Sequence, residues 1–450
     1  MRDWSAEIVA AAAGATLAAP TRPTHGPQRA VIDSREAGPA DLFVGLPGAT
    51  VDGGRFASHA LEAGAWGVLV SPQCAEGLRP ADAAVLAAAD PLAALQRLAR
   101  AWRRELGADV IGVTGSTGKT STKDLLYAVL APHRRTIASR GNFNTEIGLP
   151  LEILGAPAGT EVLVLEMAMR GAGQIAELAR VAEPDVGVIV TIGPVHLELL
   201  GTIEAIAAAK AELIAGLAPG STAVLPAGEP LLAPHLRDDL EIVTFGDGGD
   251  VTLGAADGEH VRIDARGTLL ELEVPFTQVH LRRNLLAAVA AAEAVGVIAG
   301  GRVELELSPG RGQRVRLPDG VLLIDDCYNA NPMSMRAALE DLAASAPPAG
   351  HPRRVAVLGD MLELGPRERE YHAEIGAAAA QAGVDVLVTV GPLATAMTER
   401  FDGDAYAVAD AIEAAALLPE LLAPGDAVLV KASRGVGLEV VCQALQAAVA

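Results

Sequence analysis

The sequence predicts an α/β protein in three parts: a small N-terminal α/β domain (residues 1–86), a central P-loop mononucleotide-binding domain (87–307) and a C-terminal Rossmann-like domain (308–450). Three observations carry this reading. The 450 residues exceed what one hydrophobic core ordinarily serves, so about three domains are expected. Short β-branched runs alternate with stretches of helical apolar spacing along the chain. The glycine turn at 115–120 sits between such a strand, DVIGVT, and such a helix, STKDLLYAVL.

That turn reads as a phosphate cradle. Gly115 and Gly118 let backbone N–H groups converge on an anion at a helix N-terminus, Lys119 reaches terminal phosphates, and the Thr120 hydroxyl is placed for Mg²⁺. Ser116, Thr117 and Ser121 complete it. The common pattern G-x-x-x-x-G-K-[ST] would begin at Val113, whereas this chain has the shorter form TGxxGKT, beginning on the residue pair Thr114 and Gly115.

Composition narrows the ligand. The formal net charge of −21 argues against nucleic acid or an anionic membrane as partner, since both select basic patches. A phosphorylated ligand must then be held by local cations, metal and backbone N–H groups. Half of the residues are hydrophobic and only 3% are aromatic, so helices should pack on sheets through alanine and aliphatic side chains. Cys74, Cys327 and Cys442 are odd in number, widely spaced and without a C-x-x-C pair, which supports neither a disulfide framework nor a zinc site. The N-terminal apolar run follows Asp3 and Glu7 with no basic n-region, as in an amphipathic helix rather than a signal peptide. No apolar stretch reaches the ~20 residues a bilayer span requires. A soluble, cytoplasmic monomer is expected.

Taken in order, residues 1–86 alternate short strands (RAVIDSRE, ADLFVGLPG, GAWGVLVS) with helical segments, and Ser34 and Arg35 fall just past a strand, where a hydroxyl and a guanidinium can bind phosphate. Asp90 caps the helix PLAALQRLARAWRREL that leads into the P-loop strand. Beyond the P-loop helix, the polar loop GNFNTEIG holds Asn144 and Thr145, and the buried run EVLVLE ends in Glu166. A carboxylate at the C-terminal end of a strand beside the P-loop strand is where a Mg²⁺ ligand is wanted. His196 follows the next strand, and Lys210 is the single cation on an alanine-rich helix. Residues 219–276 read as a β-rich excursion ending at a helix whose His280 and Asn284 share one face.

After the turn at Ser308, Pro309 and Gly310, four buried runs, each followed by a helical pattern, describe a parallel α/β unit. Polar residues gather at its strand ends: Asp325, Asp326, Tyr328, Asn329 and Asn331; then Asp360 and Glu363; then Lys431, Ser433 and Arg434.

Together TGSTGKTS, GNFNTEIGLP, VLEMAMRGAGQI, GPVHLELLG, AKAEL, IDDCYNANPMSM, VLGDMLELG and VKASRG resemble the Mur ligase family, in order and spacing from about Ser34 to Glu439. Within it they are most similar to members that join D-alanyl-D-alanine to UDP-N-acetylmuramoyl-tripeptide in cell wall peptidoglycan synthesis. The resemblance implies ATP and Mg²⁺ as cofactors, these two small molecules as substrates, and an acyl phosphate on the path. By the same resemblance Lys119 faces the transferred phosphoryl group, and Thr120 and Glu166 bind one Mg²⁺. His196 and a carbamylated Lys210 bind a second. His280 and Asn284 lie on the adenine side, and Arg311 and Asp326 reach the nucleotide from the third domain. Ser34 and Arg35 take the uridine diphosphate, and Asn144 and Thr145 the peptide end. Lys431, Ser433 and Arg434 stand near the reacting carboxylate, with the dipeptide expected along the loops Tyr328 to Pro332, which holds Asn329 and Asn331, and Asp360 to Gly365. The chain departs from the family at Leu281, where Asn is usual, at Ala432, where Gly is, and at Leu438, where Met is.

Rival readings make opposite demands on the sequence. The ligase that adds the third amino acid carries a D-N-P-R signature, absent here, where NANP stands instead. A folylpolyglutamate synthase lacks a separate UDP-binding domain. An amidotransferase partner of this fold needs a cysteine-rich insertion. A P-loop switch protein would turn over ATP without either substrate.

Overall fold

A computed structural model describes residues 1, 3–18, 23, 25–80, 82–345 and 353–447. Among these residues the strands assemble into three sheets. The first has five strands: Thr16–Leu17, Ala84–Ala87, Gly67–Val70, Asp41–Val44 and Arg29–Val31 in spatial order, parallel except for the first pair.

The second sheet has ten strands and carries the P-loop. Asp109–Thr114 lies between Val162–Glu166 and Val186–Ile189, parallel to both, with Val113 opposite Glu166. These strands are buried on both faces, which is why they read as unbroken apolar runs rather than alternating ones. The segment expected as a β-rich excursion is instead a continuation of the same sheet. Thr222–Pro226 pairs parallel with Val186–Ile189, and Glu241–Phe245 and the antiparallel strands Val251–Asp257, His260–Ala265 and Thr268–Glu273 extend it outward. A strand adding to an existing edge leaves no trace in its own sequence.

The third sheet has six strands, in the order Gln313–Arg316, Leu322–Asp325, Ala427–Lys431, Arg354–Gly359, Val386–Val390 and Asp404–Val408. Four correspond to the apolar runs. Gln313–Arg316 is antiparallel, and Asp404–Val408 is a largely exposed edge strand with no apolar signal to betray it. The register sets Asp325 opposite Val430 and Leu358 opposite Lys431, so the functional strand ends share one rim.

Helices follow the caps and stripes of the sequence. In Pro91–Leu106 the Asp90 carboxylate accepts from the Ala93 N–H at 3.0 Å, Leu95, Leu98 and Trp102 face inward, and Gly107 closes the helix at φ +61°. Trp102 meets Trp4 edge-on at 5.4 Å, tying the first helix region to the central sheet. Val279–Ala294 buries Ala287 to Ala292 without a break and packs on the P-loop helix Lys119–Leu130. Small side chains allow that close approach. No helix among the described residues is long and apolar enough to cross a membrane.

A buried ion pair joins the P-loop helix to the start of the third part. Lys123 Nζ lies 2.7 Å from Asp124 and donates to the Ser139 carbonyl at 2.9 Å, while Asp124 accepts both the N–H (2.9 Å) and the hydroxyl (3.1 Å) of Ser308. Both charges are out of water, so removing either leaves the other uncompensated. Asp124→Ala should therefore destabilise the fold by about 3–5 kcal/mol, whereas the apolar pair Lys123→Met with Asp124→Leu should cost clearly less. Calorimetric unfolding of the three proteins checks this; a double variant no more stable than the single one contradicts it.

Candidate active site

The P-loop strand ends at Thr114, and the chain turns through Gly115 and Gly118 into Lys119–Leu130. Gly118 sits at φ +80°, a left-handed conformation, and a Cβ there would lie 2.8 Å from Asn284 Oδ1 and 2.9 Å from a Val190 methyl. Only glycine meets both conditions. The loop is locked from the neighbouring strand: the Thr117 N–H donates to Thr191 Oγ1 at 2.9 Å, and Ser116 Oγ accepts from the Gly193 N–H at 2.9 Å. No side chain caps the helix at Gly118, so its first N–H groups are directed at an incoming anion. Lys119 Nζ folds back to the Gly115 carbonyl at 2.9 Å. Burial pulls its pKa down, opposed by Glu166.

Glu166 is buried at the strand end with both carboxylate oxygens engaged. It accepts from Thr120 Oγ1 at 2.8 Å and from Asn144 Nδ2 at 2.8 Å, and its own N–H donates to Ser139 Oγ at 3.1 Å. A carboxylate, a hydroxyl and an amide converging beside a phosphate loop form a hard, oxygen-rich donor set that suits Mg²⁺. Lys210, on Ile203–Gly216, is buried, and its amine makes no hydrogen bond or ion pair among the described residues. Burial, then the charge of Lys119, holds its pKa well below the ordinary lysine value. His196 occupies a left-handed conformation at φ +53° at the start of Leu197–Leu200, and burial lowers its pKa against the opposing pull of Glu363. Its Nδ1 contacts the Glu363 carboxylate, which comes from the third sheet's loops.

The third part closes the other wall. Lys431, buried, donates to Asp326 at 2.6 Å and to the Asn329 carbonyl at 3.0 Å. Two guanidinium groups lie over the Tyr328 ring, Arg311 at 4.0 Å and Arg434 at 5.1 Å, and its hydroxyl accepts from Arg434 at 3.1 Å. Ser433 Oγ accepts from the Leu362 N–H at 2.9 Å. The walls meet where the Met333 sulfur packs against Gly193, at a position no Cβ could share. Between them lies a cleft of about 920 Å³. It is lined by the P-loop from Ser116 to Ser121, by Asn144, Thr145, Glu166, His196 and Lys210, by His280 and Asn284, and by Arg311, Asp326, Tyr328, Asn329, Asn331, Lys431, Ser433 and Arg434.

The geometry bears on three of the expected positions, and corrects Asp360. Asp360 does not line this cleft: it is buried, accepts from the Ala394 N–H at 2.7 Å and presses on Gly391, so it braces its loop. Glu363, three residues on, is the acid of that loop that faces the cleft. Asn331 lines the cleft, but its side chain caps Pro332–Ala344 reciprocally with Ser334. Ser34 and Arg35, expected at the uridine diphosphate in the first part, lie apart from this cleft, with Ser34 buried and Arg35 exposed and paired to Asp33. Sequence spacing also missed that Cys327 and Cys442 meet in the third core, with Asp325 alongside and all three ligand atoms within 4.8 Å. Hydrogen bonding to Cys327 and burial push the Cys442 thiol up, which keeps it protonated.

Comparison with protein families matches residues 30–103 to the Mur ligase family catalytic domain, 113–292 to the Mur ligase middle domain, and 310–434 to the Mur ligase glutamate ligase domain. Among curated relatives, a UDP-N-acetylmuramoyl-tripeptide–D-alanyl-D-alanine ligase of Synechocystis is 39% identical over 92% of this chain and 91% of its own length. That of Bacillus subtilis is 37% identical over 90% of each. Among solved structures, MurF of Acinetobacter baumannii superposes with a TM-score of 0.85 at 28% identity, covering 98% of this chain and 99% of that one. MurF ligase of Thermotoga maritima in complex with ADP gives 0.81 at 31%, covering 93% and 97%.

Because Gly118 is required both by its backbone and by the close approach of Asn284, Gly118→Ala should weaken ATP binding by at least about tenfold. Calorimetric titration with ATP measures this; unchanged affinity would remove the turn from nucleotide binding.

Proposed function

The chain belongs to the Mur ligase family, and on that footing we propose that it joins D-alanyl-D-alanine to UDP-N-acetylmuramoyl-tripeptide, using ATP, in the synthesis of peptidoglycan precursor. The observation that supports this most is one cleft in which a phosphate loop, the Glu166, His196 and Lys210 group, and the Lys431, Tyr328 and Arg434 group face each other from two sheets. An acid must be activated on one wall and met by an amine from the other.

The γ-phosphate of ATP lies against the N–H groups of the loop, and Lys119 leaves the Gly115 carbonyl to balance charge as the phosphoryl group transfers. The terminal carboxylate of the tripeptide attacks the γ-phosphorus, ADP departs, and an acyl phosphate results. The dipeptide amine then attacks the acyl carbon, loses its proton, and phosphate leaves as the amide forms. Lys431 and Arg434 orient and neutralise the anionic acyl end. Tyr328 contacts both Arg434 and Arg311 through its ring, so the residue directed at the nucleotide and the one directed at the acyl group share one support. Asn284 and His280 take the adenine side, Ser34 and Arg35 the uridine diphosphate, and Thr145 the peptide end.

Thr120 and Glu166 would hold one Mg²⁺, and His196 with a carbamylated Lys210 a second; Mg²⁺ bound there would supply the charge neutralisation that lets a carboxylate approach a triphosphate. The environment of Lys210 fits this role. A buried amine with a lowered pKa and no partner is neutral at pH values where an ordinary lysine is charged, so it can add CO₂ with loss of one proton and become a carboxylate.

ADP release should require the UDP-linked tripeptide and D-alanyl-D-alanine together, and Lys119→Ala should abolish it in a folded protein; turnover of ATP without the substrates would favour a nucleotide switch. Lys210→Ala should lose activity that formate or acetate partly restores. Acid should also protonate Lys210 and release its CO₂, so that activity falls with decreasing pH and bicarbonate recovers part of it. Rescue by neither acid anion nor bicarbonate contradicts the carbamate.

A further inference from the structure

The contact between His196 and Glu363 crosses the cleft. His196 belongs to the P-loop sheet's loops, and Glu363 to the loop after Arg354–Gly359 in the third sheet. The joint is made by more than one pair of atoms. The Glu363 carbonyl accepts from the Glu198 N–H at 3.3 Å, its second carboxylate oxygen lies 3.6 Å from Arg170, and Gly365 packs on Glu198. Both residues hold left-handed backbone conformations, His196 at φ +53° and Glu363 at φ +63°. Neither is glycine, so each is kept there at an energetic cost that the surrounding contacts offset.

With Nδ1 engaged by the carboxylate, the imidazole is fixed in orientation, and its Nε2 has no hydrogen-bond partner among the described residues. A metal-binding histidine commonly has this arrangement, in which a carboxylate fixes its tautomer and raises its basicity. We propose that Glu363 is the positioning residue for His196 at the second metal site, so that this site is complete only when the third part of the chain is closed against the second. Metal affinity and closure are then one equilibrium seen from two sides. The inference rests on the proposed ligase reading for the identity of His196 as a ligand, and extends it to a residue from another domain.

The test uses Mn²⁺ as the metal, followed by electron paramagnetic resonance on the full-length protein with ADP and bicarbonate present. His196→Ala defines the second site as the Mn²⁺ equivalent it loses. Glu363→Gln should weaken that same equivalent by about ten- to a hundredfold, leave the other equivalent and ADP affinity unchanged, and Glu363→Asp should restore part of the loss. A Glu363→Gln protein that binds both equivalents as tightly as the parent overturns the proposal. So does loss of both together, which would indicate a general structural role, and so does a parent protein with no equivalent sensitive to His196. None of these readings depends on amide synthesis, so failure here and failure of the ligase assignment are distinguishable.

Discussion

The buried carboxylate of Glu166 is the constraint on which the rest of the site depends. It sits at the end of a strand whose register is fixed against the P-loop strand, Val113 opposite Glu166, and it receives Thr120 from the loop's own helix and Asn144 from the next loop. A buried charge without such donors would be costly, so the pairing and the phosphate loop stand or fall together. The Glu166 backbone is tied through Ser139 to Lys123, and Lys123 through Asp124 to Ser308, where the chain leaves for the third sheet. One continuous polar network thus connects this carboxylate to the point where the chain enters the third sheet.

The charge balance of the molecule takes its meaning from this arrangement. A chain of net charge −21 would repel ATP and a UDP-linked peptide if its surface were uniform. Cations are instead concentrated in the cleft: Lys119 and Lys210 on one wall, Arg311, Lys431 and Arg434 on the other. Asp326 restrains Lys431, and Tyr328 restrains both arginines, so these charges are pre-oriented rather than mobile. Lys210 is the exception: burial and the neighbouring Lys119 charge hold its pKa well below the ordinary lysine value, and it has no hydrogen-bond or ion-pair partner among the described residues.

Much of this was legible in the sequence, and the limits are physical. The phosphate turn, the acid ending VLVLE and the i, i+4 pair His280 and Asn284 are local, and local periodicity places them. Which acid of GDMLELG faces the cleft is not local. Asp360 and Glu363 are equivalent in composition, and only the packing of Gly391 and Ala394 against Asp360 turns that one inward. Asn331 looks like a binding residue in NANP because capping and binding use the same side-chain chemistry. The Cys327 and Cys442 contact and the edge strand Asp404–Val408 depend on tertiary pairing, one between residues far apart in sequence and the other through a largely exposed strand.

The central claim is that an acid is activated as a mixed anhydride with phosphate inside this cleft before any amine arrives. Borohydride trapping addresses it directly: protein, ATP and UDP-N-acetylmuramoyl-tripeptide are mixed without dipeptide, quenched with borohydride, and the terminal residue of the peptide is analysed for the alcohol that reduction of an acyl phosphate leaves. The account predicts the alcohol under those conditions and its disappearance when D-alanyl-D-alanine is supplied before the quench. Its absence from a protein that nonetheless forms the amide would contradict the account.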